Sequence, residues 1–188
     1  MSINKLSIYK KQHYSFYPFS ATFRTNNISM IIKYGCLAVI ACFASHTLQA
    51  QVKVQGEVKH ALQLTPAYLV KMTRVTASAN DHDGKAHSYS GIAVSEILDS
   101  AGVTTGAQLR GKNLAKYMLV KCADGYEVVF SLAELDNNFT DRVVILADSV
   151  DGKPLPEGKG PYKLIVPGEK KPARSCFQVT DIIIGAAK

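Results

Sequence analysis

From Val52 onward the chain is cut into short segments, and that segmentation bounds what it can fold into. Brief alternating or apolar runs are separated by Asp-Gly, Gly and Pro punctuation. Residues 52–58 alternate apolar and polar and read as a first strand. Thr65-Pro66 is a helix start, an N-cap hydroxyl followed by proline at the first helical position. The short helix it opens carries Tyr68, Leu69 and Met72 inward. Residues 74–80 and 85–90 predict a hairpin about Asp81-His82-Asp83-Gly84, where Asp-Gly suits the positive φ of a tight turn. Residues 94–101 predict a helix closed by Gly102 in a left-handed cap, and 104–113 a polar loop.

The second half continues in the same manner. Residues 117–122 and 126–131 read as strands around Ala123-Asp124-Gly125, and Ser131-Leu132-Ala133-Glu134 is a capping box. Residues 143–147 are apolar without interruption, so this strand is expected to be buried on both faces. A Gly/Pro loop over 151–161, strands at 162–166 and 177–184, and a basic loop at 169–174 between them complete the chain. The expected fold class is α+β: a single compact domain of mixed or antiparallel short strands with two or three short helices. It is not an alternating β/α nucleotide fold, and no Gly-rich loop for phosphate follows a strand.

The segment before Gln51 reads differently. Residues 1–29 are expected to be a leader that is non-native or untranslated, with Met30 as the true start. Residues 30–50 resemble a secretory signal: Lys33, an apolar run over 35–44, then a polar stretch ending in Ala50. The apolar run is shorter than the ~20 residues that span a bilayer. Cleavage after Ala50 leaves residues 51–188 as the mature domain, periplasmic or secreted. A lipid-attachment box at Val39-Ile40-Ala41-Cys42 is the less favoured alternative.

Charge follows the same division. The 188-residue chain has a formal charge of +7 from 22 Lys and Arg against 15 Asp and Glu. Five of the basic residues, Lys5, Lys10, Lys11, Arg24 and Lys33, precede residue 51, where there is no acidic residue, leaving 17 against 15 in the domain. The basicity belongs to the leader and gives no support for nucleic-acid binding.

Several constellations invite chemistry. Cys122 and Cys176 are the cysteines of the mature domain, and in an oxidising compartment they are either a disulfide or two separate buried thiols. Asp81-His82-Asp83 with His87 has metal-binding residue types, but a polar hairpin tip explains it equally, and that is the reading adopted. His60 stands alone. Lys163 with Lys170, Lys171 and Arg174 has the charge for a small anion such as a phosphate or a carboxylate, while a solvated loop beside Glu169 is the favoured alternative.

Seven short signatures occur in a fixed order: Tyr89-Ser90-Gly91, Ile97-Leu98-Asp99-Ser100-Ala101-Gly102, Ala123-Asp124-Gly125-Tyr126, Leu146-Ala147-Asp148, Asp151-Gly152-Lys153-Pro154-Leu155, the run from Gly160-Pro161-Tyr162-Lys163 to Val166-Pro167-Gly168, and Arg174. In that order and spacing the chain resembles the molybdopterin-binding domain of the sulfite oxidase type, over about residues 52–186. The resemblance implies that family's fold, a molybdopterin cofactor, an oxidoreductase activity and a periplasmic redox partner.

It also implies departures. Relatives ligate molybdenum through a cysteine that follows a strand. The matching stretch here is Val75-Thr76-Ala77-Ser78-Ala79-Asn80, with Ser78 in the region of the thiol. Relatives carry a Lys-Trp pair after the Pro-Gly loop, where this chain has Cys176-Phe177, and an arginine where this chain has Lys163. Lysine keeps the charge but loses the bidentate fork for phosphate. The cofactor-binding candidates are therefore Ser78, Asn80, Lys163 and Arg174, with no metal ligand and no catalytic residue assigned. The expectation is an atypical or degenerate site without thiolate-ligated molybdenum. The alternative is a non-catalytic binding or assembly module for a small anionic ligand.

Overall fold

Ten short strands in two five-stranded sheets make up the computed structural model, which describes residues 51–187. The leader and signal expected over residues 1–50 lie outside the described residues. The strands are β1 (Val52–Gly56), β2 (Leu62–Leu64), β3 (Arg74–Asn80), β4 (Ala86–Ala93), β5 (Lys116–Cys122), β6 (Glu127–Ser131), β7 (Ile145–Val150), β8 (Lys153–Pro154), β9 (Lys163–Ile165) and β10 (Val179–Ala186). Two short α-helices, α1 (Pro66–Leu69) and α2 (Val94–Ser100), join them, with single 3-10 turns elsewhere. No helix among the described residues is long and apolar enough to cross a membrane.

The first sheet has the order β2-β1-β10-β5-β6. Its β1–β10 pair is parallel, Val54 opposite Ile182, while β10 and β5 are antiparallel with Ile182 opposite Val120. The second sheet is antiparallel throughout: β3-β4-β7, with β8 and β9 both paired to the far side of β7. Period-two burial explains the packing. Val52 and Val54 of β1, Met118 and Val120 of β5, and Ile182 and Ile184 of β10 point into one core shared with Ile92, Leu146 and Leu164 of the second sheet. Ile97 and Leu98 of α2 join that core.

β7 is buried on both faces, as its unbroken apolar run requires. Val144 and Leu146 enter the main core, whereas Ile145 and Ala147 face a second cluster with Tyr89, Ala79 and Ile165. Lys163, two residues before Ile165 on β9, therefore emerges on the side of the second cluster rather than in the main core. This alternation places the lysine.

Local signals read from sequence mostly hold. The Thr65 hydroxyl caps α1 by accepting from the Tyr68 N–H at 3.2 Å, and Gly102 closes α2 at φ +67°. Both bonds of the Ser131–Glu134 capping box form, although the element they open is one 3-10 turn, Leu132–Leu135. Several boundaries differ, among them β1, which ends at Gly56, and β4, which runs on to Ala93, and the short strands β2 and β8 were not expected from sequence. β7 runs on to Val150 because Asp151 and Gly152, at φ +49° and +75°, make a two-residue turn that pairs Val150 with Lys153. β10 begins at Val179, after Gln178 at φ +51° interrupts the extended chain.

Candidate functional site

An open cleft of about 530 Å³ is lined by Ala77, Ser78, Thr140, Arg142, Val143 and Gly168, among others. Two sequence landmarks far apart in the chain meet there: the strand that carries Ser78, and the Pro167-Gly168 loop. Ser78 is exposed on edge strand β3. Ala77 and Ser78 both line the cleft, so β3 contributes no sulfur to it.

Arg142 supplies the cleft's cation. Its side chain is 28% exposed, and it stands 3.7 Å from Glu134 and 3.6 Å from Glu169, both too long for strong hydrogen bonds. Its Nε is buried and makes no hydrogen bond. Arg174 takes the same two carboxylates at closer range: Nη1 donates to Glu134 at 3.0 Å and Nε to Glu169 at 2.8 Å, with Nη2 also donating to Glu169. The guanidinium stacks 4.5 Å above the Phe130 ring. Burial works against its charge, but the two carboxylates outweigh this and raise its pKa. Arg174 is thus committed to an internal ion pair, whereas Arg142 keeps an unused donor.

Lys163 lies in a different and smaller cavity of about 180 Å³, with Asp81, His87, Tyr89, Asp151 and Lys159. Its side chain is only 2% exposed. Nζ donates to Asp81 Oδ2 and to the Tyr89 hydroxyl, each at 3.1 Å, and lies 4.4 Å from the Phe177 ring centre and 4.7 Å from that of Tyr89. Tyr89 donates to the same Asp81 oxygen at 2.9 Å, and Lys159 stands 3.7 Å away. Burial pushes the Asp81 carboxyl up, but the His82 N–H, Lys163 and Tyr89 outweigh it and hold the group well below the usual carboxylate range. Burial pulls Lys163 down from its usual value against the pull of Asp81, and burial, with the carboxylate, pushes Tyr89 up. Asp81, from the hairpin tip, is the carboxylate that Lys163 pairs with, and Asp83 and Asp151 also line the cavity.

At the rim, His87 bridges two carboxylates, Asp151 at 2.7 Å and Asp83 at 3.0 Å. The hydrogen bond to Asp151, then that to Asp83, raises its pKa above the ordinary 6.5. A raised histidine value stabilises the fold fully below the unfolded pKa, and that stabilisation is lost as pH rises through the folded value. Accordingly, the hairpin should hold its amide protection at pH 6 and lose part of it on the alkaline side of the His87 midpoint. NMR titration of His87 alongside hydrogen exchange checks this, and Asp151→Asn should move the midpoint back toward 6.5.

The four candidates from sequence do not converge. Ser78 lines the open cleft, Lys163 the closed cavity, Arg174 an ion pair behind the cleft wall, and Asn80 sits exposed opposite Ala86 at the end of β3. Arg142 and Tyr89 were not singled out as ligand-holding residues from sequence, and Asp81 was weighed only as part of a metal-binding hairpin tip. Tyr89 was visible only within its Tyr-Ser-Gly signature, and Arg142 carries no local motif. Asp124-Gly125 makes its turn, with Gly125 at φ +84° and Asp124 accepting from the Tyr126 N–H at 2.9 Å.

Among the described residues no cysteine lines either cavity. Cys122 and Cys176 are buried and free in the main core. Among the described residues no group of three or more His, Cys, Asp or Glu side chains could hold a metal ion. The open cleft does fit the size of a small organic ligand, ~300–1,000 Å³, and the closed cavity does not.

A family profile described as the oxidoreductase molybdopterin binding domain matches residues 44–182. In three dimensions, 26 chains of solved structures match. One is the sulfane dehydrogenase SoxCD from Paracoccus pantotrophus, with a TM-score of 0.56 and 21% identity, covering 71% of this chain and 37% of that one. At that identity the likeness establishes the fold, and this chain spans little more than a third of that protein's length. No curated protein matches the sequence.

Proposed function

The chain belongs to the oxidoreductase molybdopterin binding domain family, and on that premise we propose that it is an exported domain of the sulfite oxidase type with an atypical cofactor site. In this reading the open cleft receives the phosphate-bearing pterin, and no protein thiolate reaches the metal. The observation that carries it is the meeting of Ser78 and Pro167-Gly168 around one cleft of adequate size, with Arg142 in its wall. An anion there would pair with the accessible part of a guanidinium that Glu134 and Glu169 hold only at 3.7 and 3.6 Å. The resident group would supply redox chemistry at its metal; the chain's own residues bind and orient it. Electrons would then pass to a periplasmic partner.

A second reading is favoured by Asp81. Its carboxylate pairs with Lys163, and Asp83 and Asp151 line the same cavity, so the charge there does not favour an external anion. That arrangement suits a binding or assembly module that retains the fold without molybdenum.

The deciding experiment is the molybdenum and pterin content of the protein purified from a host that makes the cofactor. Pterin with near-stoichiometric molybdenum supports the cofactor-binding reading. Absence of both from a folded sample favours the binding module. Stoichiometric molybdenum whose X-ray absorption shows a protein cysteine sulfur as ligand would overturn the atypical site. Arg142→Ala is expected to weaken binding of pyrophosphate, used as a probe, roughly tenfold, the scale of one charge-assisted hydrogen bond. Isothermal titration of the two proteins measures it, and Ser78→Cys tests whether a thiol in the cleft restores metal.

A further inference from the structure

Cys176 occupies the position where the resemblance expects a cofactor-holding lysine, and its thiol faces away from both cavities into the core. It meets Cys122 there. The two residues are 4% and 6% exposed and belong to the same cluster. The backbone around them is tightly tied. Cys122 ends β5 opposite Val179, and the Ala123 N–H donates to the Gln178 carbonyl at 2.9 Å. The Cys176 carbonyl accepts from the Leu164 N–H at 2.9 Å, and the Val179 N–H donates to the Tyr162 carbonyl at 3.0 Å. The segments that carry the thiols are therefore held side by side by neighbouring strands, both side chains are buried in one core cluster, and the two thiols perturb each other's ionisation.

We infer that Cys122 and Cys176 are a modification site: in the exported protein they close to an intramolecular disulfide by exchange with a disulfide donor, either a thiol–disulfide oxidoreductase or oxidised glutathione. This rests on the export proposed above. In the first step one cysteine thiolate attacks the donor's S–S bond, forming a mixed disulfide and releasing one donor thiolate. The second cysteine, as thiolate, then attacks the protein sulfur of that mixed disulfide and expels the other donor thiolate. Two S–H bonds of the protein are lost, one S–S bond forms, and the donor is reduced to two thiols by the same two electrons.

Bond formation needs the sulfurs to reach about 2.05 Å, an adjustment of side chains between segments the backbone already fixes. The bridge would pin Cys176 and with it Phe177, the ring beneath Lys163. The segment leading into β10 is thereby stapled to the end of β5.

The test is peptide mapping by mass spectrometry without reductant, on full-length protein isolated from cells and on a reduced sample incubated with oxidised glutathione. The expected result is a cross-linked peptide pair containing Cys122 and Cys176, two hydrogens lighter than the sum of the free peptides, in both samples. The pair appearing only after glutathione upholds the exchange chemistry and counts against export. Two free thiols after glutathione, or a stable glutathione adduct with no cross-link, overturns the proposal. The oxidised protein should melt about 10 °C above the reduced one, and a Cys122→Ser, Cys176→Ser variant should show no oxidant-dependent shift.

Discussion

Lys163→Met is expected to cost about 3 kcal/mol of folding stability at neutral pH, measured by urea unfolding. The reason is the pair it breaks. Lys163 is 2% exposed and Asp81 11%, and their 3.1 Å contact is buttressed by Tyr89. Removing one partner of a buried ion pair leaves the other charge desolvated, at about 3–5 kcal/mol. The lower end applies because Asp81 keeps the Tyr89 hydroxyl, the His82 N–H and, at 3.7 Å, Lys159. Replacing both partners, Asp81→Asn with Lys163→Met, should cost less than the single change, because no charge is then stranded. A single-variant loss under about 1 kcal/mol would mean that solvent reaches the pair.

The same pair gives an acid-side prediction. The Asp81 carboxyl is depressed in the folded state, so its contribution is complete above the ordinary value of 3.8 and disappears as pH falls through the lower folded value. In Lys163→Met that depression shrinks, and stability should fall less on acidification than in the wild type.

Gly91→Ala is expected to be as damaging, by about 3 kcal/mol, or roughly 10 °C in melting temperature. A Cβ on Gly91 would lie 2.1 Å from the Leu146 carbonyl oxygen and 2.5 Å from the Ala147 Cα. These are backbone atoms of β7, the doubly buried central strand, at the register irregularity between Ser90 and Gly91. No side chain can turn aside to make room, so the sheet must shift. Gly84→Ala at the hairpin tip is the control. There φ is +77° but nothing lies within 4 Å, so only the left-handed conformation is strained, at about 1–2 kcal/mol. Similar losses at both positions would argue that conformation, not close approach, dominates at Gly91.

Tyr89-Ser90-Gly91 shows how far a short motif can be read. As sequence it is a family landmark without an evident role. In the fold each residue has one: Tyr89 donates to Asp81, Ser90 lies near Arg74 at 3.3 Å, and Gly91 admits β7. Asp151-Gly152 shows the opposite. Between Val150 and Lys153 it is a hairpin signal, but the Pro and Gly residues that follow make the whole stretch resemble a loop. The structure resolves it into a β-turn whose Asp151 anchors both His87 and the Ser88 N–H.

The candidate site was legible in type more than in membership. Lys163 and Arg174 have the right charge for an anion, but their carboxylate partners are Asp81 for the first and Glu134 and Glu169 for the second. Of these, only Glu169 is near in sequence. Arg142, the cation that does line the open cleft, is unremarked in sequence because nothing local distinguishes it from any loop arginine.

Alternation, capping residues and turn dipeptides act over a few neighbouring residues, so the sequence alone determined most of the strands, the helix starts and the α+β class, but not the three- and two-residue strands β2 and β8. The ordered signatures likewise carried the family. Strand order, the parallel β1–β10 pairing, the burial of Cys122 and Cys176 in one core cluster and the choice of ion-pair partners were decided only by tertiary structure. Those contacts join residues far apart along the chain, and their energies depend on burial and distance, which exist only once the two sheets have packed.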